Sequence, residues 1–209
     1  MATATLLGLS LPLPPPALTA LRLTPLLTTT ASLTHAYMEY LTTTSFLTAP
    51  PTHNALTFSM AAGRTAPNTT THPHKNAAQV AAALDTVVPV WFVNFFNTGV
   101  WSVIGLNSLT LLSSAANLWV VGGLGAARGW YAAGFVGALA HYAFVPGVSG
   151  AVEGLHRLCV RGAKGEVGEK GRAARLVREW VGVHKVRWAT VDLVAWVGFA
   201  VGVVRVLTP

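Results

Sequence analysis

The chain has 209 residues, which is enough for one domain. Hydrophobic residues make up 52% of it and charged residues only 10%, against about 25% charged residues in an average soluble domain. With a mean hydropathy of +0.51, so few charges could not cover the surface of a soluble protein. The composition therefore excludes an ordinary soluble domain and favours an integral membrane protein.

The net charge is +7, and the basic residues are not spread evenly. Most of the fourteen Lys and Arg residues lie between Arg157 and Arg187, beside apolar segments. This pattern is typical of a loop at an anionic membrane surface, so we expect the lipid bilayer as a partner and no nucleic acid. The single cysteine, Cys159, excludes an intramolecular disulfide.

The first predicted span covers residues 17–47. A helix that began at Leu6 would be broken by the prolines at 12–16, so a start near Ala17 fits better. The segment also holds Arg22 and many threonines, and a signal peptide is the alternative interpretation. A proline-punctuated loop is predicted over residues 50–85.

Long uncharged stretches then predict the second span at 87–120 and the third at 129–147, separated by a glycine-rich turn. A basic loop is predicted over 153–187, and its last part, from Arg172, is expected to be a helix that continues into the final span at 188–207.

Together these segments predict an all-α fold: a single multi-pass membrane domain, residues 1–209, built as a bundle of about four transmembrane helices. The excess of Lys and Arg places the basic loop on the cytoplasmic or matrix side. With four spans, both termini lie on the opposite side. The oligomeric state is not determined by the sequence.

A first group of candidate site residues opens the final span. Trp180, His184 and Arg187 are spaced i, i+4, i+7 and therefore share one helix face, with Asp192 about 80° round from His184. A His and an Arg there could hold an anionic ligand, and the His could move a proton near neutral pH. The alternative is an interfacial belt, since Trp and basic residues collect at membrane boundaries.

His141 stands in the middle of the apolar third span. Gly129, Ala133 and Gly137 precede it at steps of four and predict close packing against another helix. His141 would then point into the bundle, either as a buried structural histidine or as part of an active site. In the last span, the glycines at 198 and 202 likewise predict a close helix contact.

The second span carries polar amides near one face. Asn94, Asn97 and Trp101 lie on this face, and Trp91 lies one turn earlier. Amides in a span prefer the bundle interior, where they either line a small-molecule cavity or tie helices together. The sequence has no phosphate-binding loop, dinucleotide fingerprint or zinc-ligand spacing. We therefore expect no metal and no cofactor.

Three stretches in combination resemble a known family. The run Val90–Gly99, VWFVNFFNTG, opens the second span, a third span ends in Phe144-Val145-Pro146, and the fourth begins Trp180-x3-His184-x2-Arg187. This layout, over roughly Val87 to Val204, resembles the anthrone-oxygenase-like family of small four-helix membrane proteins.

The resemblance implies cofactor-free oxygenation of an aromatic polyketide-type substrate, in which a base removes a proton and the carbanion reacts with O2. His184 or His141 would be the base, and Arg187 would stabilise the phenolate-like anion. Trp91 and Trp101 would wall an aromatic pocket. The alternative is a non-catalytic membrane scaffold or assembly protein.

Overall fold

The protein is an all-α bundle of four long helical segments, as predicted. Its computed structural model describes residues 2–6, 9–48, 77–121, 123–166 and 168–208. Most of the predicted loop at 50–85, residues 50–76, lies outside the described part, and residues 77–85 are helical. Two short antiparallel strands, β1 (Ala2–Leu6) and β2 (Leu9–Leu13), precede the bundle and were not predicted.

The helices are α1 (Pro15–Ser45), α2 (Ala77–Ala115), α3 (Arg128–Ala140), α4 (Val145–Ala163), α5 (Arg172–Arg187) and α6 (Leu193–Leu207). Short turns join them into longer segments. A π-helical turn, Ala116–Val121, extends α2; a 3-10 turn, His141–Phe144, joins α3 to α4; and a π-helical turn, Trp188–Asp192, joins α5 to α6.

Three of the four segments are long and apolar enough to cross a membrane: Ala82–Val121, Gly125–Ala163 and Arg172–Leu207. They contain 40, 39 and 36 residues, which correspond to roughly 54–60 Å of helix. Large apolar side chains cover their outer faces, including Trp101, Leu112 and Val136. A bundle with such a surface is suited to lipid, which agrees with the predicted membrane class.

Helix α1 forms over nearly the predicted range but is not among the segments apolar enough to span. It begins at Pro15, since proline is tolerated in the first helical turn. Pro25, inside the helix, has no N–H to offer the Leu21 carbonyl. The Asn117 amide of the neighbouring segment donates to that carbonyl instead, at 2.9 Å, and so ties α1 into the bundle.

The predicted loop at 153–187 is mostly helical. Helix α4 runs to Ala163, and α5 begins at Arg172, so only a short connection separates them. The loop prediction was wrong over residues 153–163, because Glu153, Arg157 and Arg161 lie on an exposed face of α4. The expectation of a helix from Arg172 into the final span was confirmed.

Two apolar cores follow one another along the bundle. One surrounds Leu155, Val177 and Trp180, on the half that carries most of the basic residues. The other surrounds Tyr131 and Phe199, on the half formed by α3, α6 and the start of α1. Between the two cores the helices bring buried polar side chains together.

Candidate functional site

The candidate site lies where two long segments depart from α-helical geometry. His141 opens the 3-10 turn, and Asp192 closes the π-helical turn of the fourth segment. Pro146 explains the first departure, since it offers no N–H to the Tyr142 carbonyl and would clash with it in a continuous α-helix. Such irregular turns are frequent at functional sites because they redirect side chains and backbone groups.

A cavity of about 330 Å³ lies beside these turns. Its volume falls within the range of about 300–1,000 Å³ that is usual for small-molecule sites. Most of its wall is apolar and aromatic, and its polar lining includes Glu39, His141, His184 and Arg187. Apolar walls with a few convergent polar groups are the usual composition of a ligand pocket.

His141, Asp192 and Arg187 form a connected buried group. The His141 Nδ1 atom lies 2.9 Å from Asp192 Oδ1, and Arg187 Nε donates to Asp192 Oδ2 at 3.2 Å. All three residues are at most 8% exposed. Because the carboxylate accepts the bond, His141 Nδ1 carries a proton, and in the neutral imidazole Nε2 is then the acceptor.

His184 is held on both of its ring nitrogens. Arg187 Nη1 lies 3.3 Å from His184 Nε2, and since a guanidinium only donates, Nε2 accepts this bond. His184 Nδ1 then carries the proton and donates to the Trp180 carbonyl at 3.1 Å. The Trp180 ring stacks on the imidazole with centroids 3.8 Å apart. His184 is therefore fixed in one orientation and one tautomer.

Glu39 of α1 also lines the cavity, and sequence reasoning did not select it. Its Oε2 atom lies 3.7 Å from His184 Nε2, and its Oε1 atom lies 3.4 Å from His35 Nδ1, one turn earlier on the same helix. A usable signal was present, because Glu39 is one of only two charged side chains in residues 1–50. An ionisable side chain in an apolar segment is a functional candidate by default.

The structure brings together most of the residues predicted from the third and fourth spans. His141, His184, Arg187 and Trp180 all line the one cavity. His184, Arg187 and Trp180 are each buried, so they do not form the exposed interfacial belt that was the alternative interpretation.

The prediction that the polar face of the second span points into the bundle was wrong. Asn94, Asn97 and Trp101 point outward, Trp101 with 71% of its surface exposed, and none of them lines the cavity. Trp91 packs between the rings of Phe46 and Phe95, with centroids 4.5 and 5.0 Å away, and is not part of the lining either.

The reason lies in the opposite face of α2, which packs against α1 and the fourth segment. Phe92 contacts the Trp180 ring edge-on, and Thr110 donates to the Thr28 hydroxyl at 2.7 Å. That face also places Asn107 in the cavity wall, with its Nδ2 atom buried and without a hydrogen-bond partner among the described residues. The sequence placed Asn94, Asn97 and Trp101 near one face but did not show that the opposite face, with Asn107, would turn inward.

No group of three or more His, Cys, Asp or Glu side chains within the described ranges is arranged to hold a metal ion. No protein family matches this chain, and neither a curated protein nor a solved structure shows significant similarity to it. The geometry of the cavity is therefore the structural basis for a functional proposal.

Proposed function

We propose that this protein is a multi-pass membrane enzyme that removes a proton from a small aromatic substrate, so that the resulting carbanion reacts with O2 without a cofactor. The observation that carries the proposal is the cavity between the two apolar cores. It combines an aromatic wall with the His141–Asp192 pair and the Arg187 guanidinium.

His141 is the base in this proposal. Asp192 accepts its Nδ1 proton and fixes the ring, which leaves Nε2 to take a proton from the substrate. A carboxylate that orients a histidine in this way is a recurrent arrangement in enzymes that use histidine as a general base. His184 is less suited to the role because both of its ring nitrogens are engaged.

Arg187 supplies the electrostatic stabilisation. Its guanidinium lines the cavity and stays charged at any physiological pH, so it favours a substrate anion that forms beside it. Asp192 and His184 hold it in place, which avoids reorganisation when the anion forms.

The overall reaction follows from the resemblance to the anthrone-oxygenase-like family. A substrate CH2 group between two aromatic rings loses a proton to His141, and the carbanion passes its electrons to O2 and forms a C–O bond. After loss of the second hydrogen, the carbon becomes a carbonyl and the other oxygen atom leaves as water. The balance is CH2 plus O2 giving C=O plus water, with no external reductant.

The test is turnover of an anthrone by the purified protein in lipid nanodiscs, followed by O2 consumption and by the absorbance of the quinone. We expect His141→Gln to lower the rate by about 10²–10⁴-fold, the usual contribution of a general base. His156→Gln is the matched control, since His156 is exposed on α4 and does not line the cavity.

Two results would overturn the proposal. One is a wild-type rate equal to the uncatalysed oxidation of the anthrone, measured with folded protein. The other is a His141→Gln rate equal to that of His156→Gln. Either result would favour the non-catalytic scaffold.

A further inference from the structure

Glu39 is the acidic residue of the cavity lining, and like Asn107 and Trp180 it has a buried polar atom with no hydrogen-bond partner among the described residues. The Glu39 side chain is 8% exposed, and Oε2 is the buried atom. Its nearest titratable neighbours are His184 Nε2 at 3.7 Å and His35 Nδ1 at 3.4 Å. Both separations are long for a charge-assisted hydrogen bond.

Among the described residues, the only basic side-chain nitrogens within 4 Å of the Glu39 carboxyl group belong to histidines, so it has no close ion pair with Lys or Arg. Its own helix contributes His35, the third segment contributes His141 and Tyr142, and the fourth contributes His184, Arg187 and Asp192. Helix α2 contributes only uncharged residues to this wall, with Gly99 and Asn107 among them. The one guanidinium in the group is already bound by Asp192.

His184 cannot supply the missing positive charge in this arrangement. Its Nε2 atom accepts from Arg187, so that nitrogen carries no proton, and its Nδ1 proton is donated to the Trp180 carbonyl. An ionised Glu39 would then be a buried carboxylate with an unpaired oxygen, which is a costly arrangement. With neutral imidazoles, a protonated Glu39 leaves the group with the charges of Arg187 and Asp192, and these cancel.

We propose that Glu39 is the proton-holding acid of the cavity: it is neutral when the cavity is empty and donates its proton to a bound ligand. The second half of this statement rests on the proposed function. An apolar site that keeps a carboxylic acid neutral so that it can donate a hydrogen bond or a proton is a known enzymatic device.

In the oxygenation, Glu39 acts at the second stage. Proton removal by His141 and reaction with O2 produce a peroxide anion on the substrate carbon, and His141 returns its proton to give the hydroperoxide. His141 then takes the second C–H proton, the electron pair of that bond forms the carbonyl, and the O–O bond breaks. The leaving oxygen takes the Glu39 proton and departs as water, and proton transfer from His141 to Glu39 restores both groups.

The first experiment needs no substrate. Infrared spectra of the full chain in nanodiscs at neutral pH should contain a C=O stretching band of a protonated carboxylic acid. We expect this band to be lost in Glu39→Gln, shifted in Glu39→Asp, and unchanged in Glu179→Gln, whose carboxyl group is exposed. A spectrum in which Glu39→Gln keeps the wild-type band would overturn the proposal.

The second experiment separates the two proposals. With an anthrone substrate, Glu39→Gln should consume O2 but form the carbonyl product at least tenfold more slowly than wild type, with hydroperoxide accumulating. Equal product formation by Glu39→Gln and Glu179→Gln would refute the donor role. If the wild type itself does not turn over, the proposed function fails, while the infrared band still decides whether Glu39 holds a proton.

Discussion

At the scale of single residues, the site depends on the Asp192 carboxylate, which accepts hydrogen bonds from two side chains. Asp192 accepts from His141 through one oxygen and from Arg187 through the other. A buried ion pair gains little overall, because the desolvation of both charges offsets their attraction. Removal of one partner is much more costly, since the remaining charge is left buried and unpaired.

The buried pair of Asp192 and Arg187 predicts how substitutions change the free energy of unfolding. Asp192→Ala should lower the free energy of unfolding by about 3–5 kcal/mol, because Arg187 loses its carboxylate in a buried position. The double change Asp192→Leu with Arg187→Met should recover most of the loss, because no charge remains. Thermal unfolding in detergent measures both.

The exposed pair Glu153 and Arg157 provides the control, with side chains that are 63% and 70% exposed. Glu153→Ala should cost less than about 1 kcal/mol, as is usual for surface ion pairs. Equal losses for Asp192→Ala and Glu153→Ala would show that the buried group does not hold the helices together.

The site residues predicted from the sequence include three that share one helix, whereas the prediction did not include the site residues of α1 and α2, Glu39 and Asn107. Trp180, His184 and Arg187 were selected because helical spacing places them on one face. Glu39 and Asn107 were not, because neither lies near the other site residues in sequence. Their role depends on which helices are neighbours and on how each is rotated.

At the scale of elements, glycines let α3 and α6 approach closely. A Cβ atom at Gly198 would lie 2.7 Å from the Gly134 nitrogen, and one at Gly137 would lie 2.9 Å from the Ala195 nitrogen. The close contact predicted from Gly198 and Gly137 is therefore confirmed. Gly129, from the same predicted stripe, has nothing within 4 Å of such an atom, because the contact follows Gly134 instead.

These distances predict opposite outcomes for two glycine substitutions in the fourth segment. Gly198→Ala should destabilise the protein by about 1–3 kcal/mol, because backbone atoms rather than flexible side chains must move. Gly182→Ala, where nothing lies within 4 Å, should stabilise it by roughly 0.5–1 kcal/mol through helix propensity. Unfolding midpoints of the two variants check the prediction, and a loss at Gly182→Ala as large as at Gly198→Ala would contradict it.

Polar side chains of α1 explain why its sequence gave only a weak indication of a span. Several of its threonines donate to carbonyls one turn earlier, as Thr29 does to Pro25 at 2.7 Å. Trp196 of α6 donates to Thr30 at 2.9 Å, and Thr110 to Thr28. Satisfied hydroxyl groups are compatible with a bundle interior, although they lower the hydropathy of the segment.

At the scale of the whole molecule, the long segments exceed the hydrocarbon thickness. Their length of roughly 54–60 Å is about twice the 30 Å of a bilayer core. Nine of the fourteen Lys and Arg residues lie between Arg157 and Arg187, on the half built around Leu155 and Trp180. We therefore expect the first half to project from the membrane, with the cavity near the boundary.

This arrangement predicts the membrane topology. In a Cys159→Ser background, Lys170→Cys should react with an impermeant maleimide only from the cytoplasmic or matrix side, following the positive-inside rule. Thr208→Cys should react only from the opposite side, because the segment Arg172–Leu207 lies between it and Lys170. Ser10→Cys should also react only from that side if α1 spans the membrane. All three positions are exposed, so labelling in sealed vesicles of known orientation can report on each.

Each outcome of the labelling has a definite meaning. Reaction of Ser10→Cys from the same side as Lys170→Cys would show that α1 does not cross the bilayer. Reaction of Lys170→Cys from the side opposite to the cytoplasm or matrix would contradict the predicted orientation.

The sequence by itself determined the class of the protein and the number of long helices. Scarce charges, long apolar stretches and the positions of glycine and proline are local properties of the sequence. They favour long apolar helices without any contact between helices. It also determined which residues of the fourth segment share a face, since that depends only on helical geometry.

Only the tertiary structure decided which faces meet. Helix α2 could have turned Asn94 inward, yet its contacts with α1 and the fourth segment turned Asn107 inward instead. Glu39 joined the cavity for the same reason, because α1 packs beside α2 and α5. The rotation of a helix depends on the shape of all its neighbours, and no single segment of sequence contains that information.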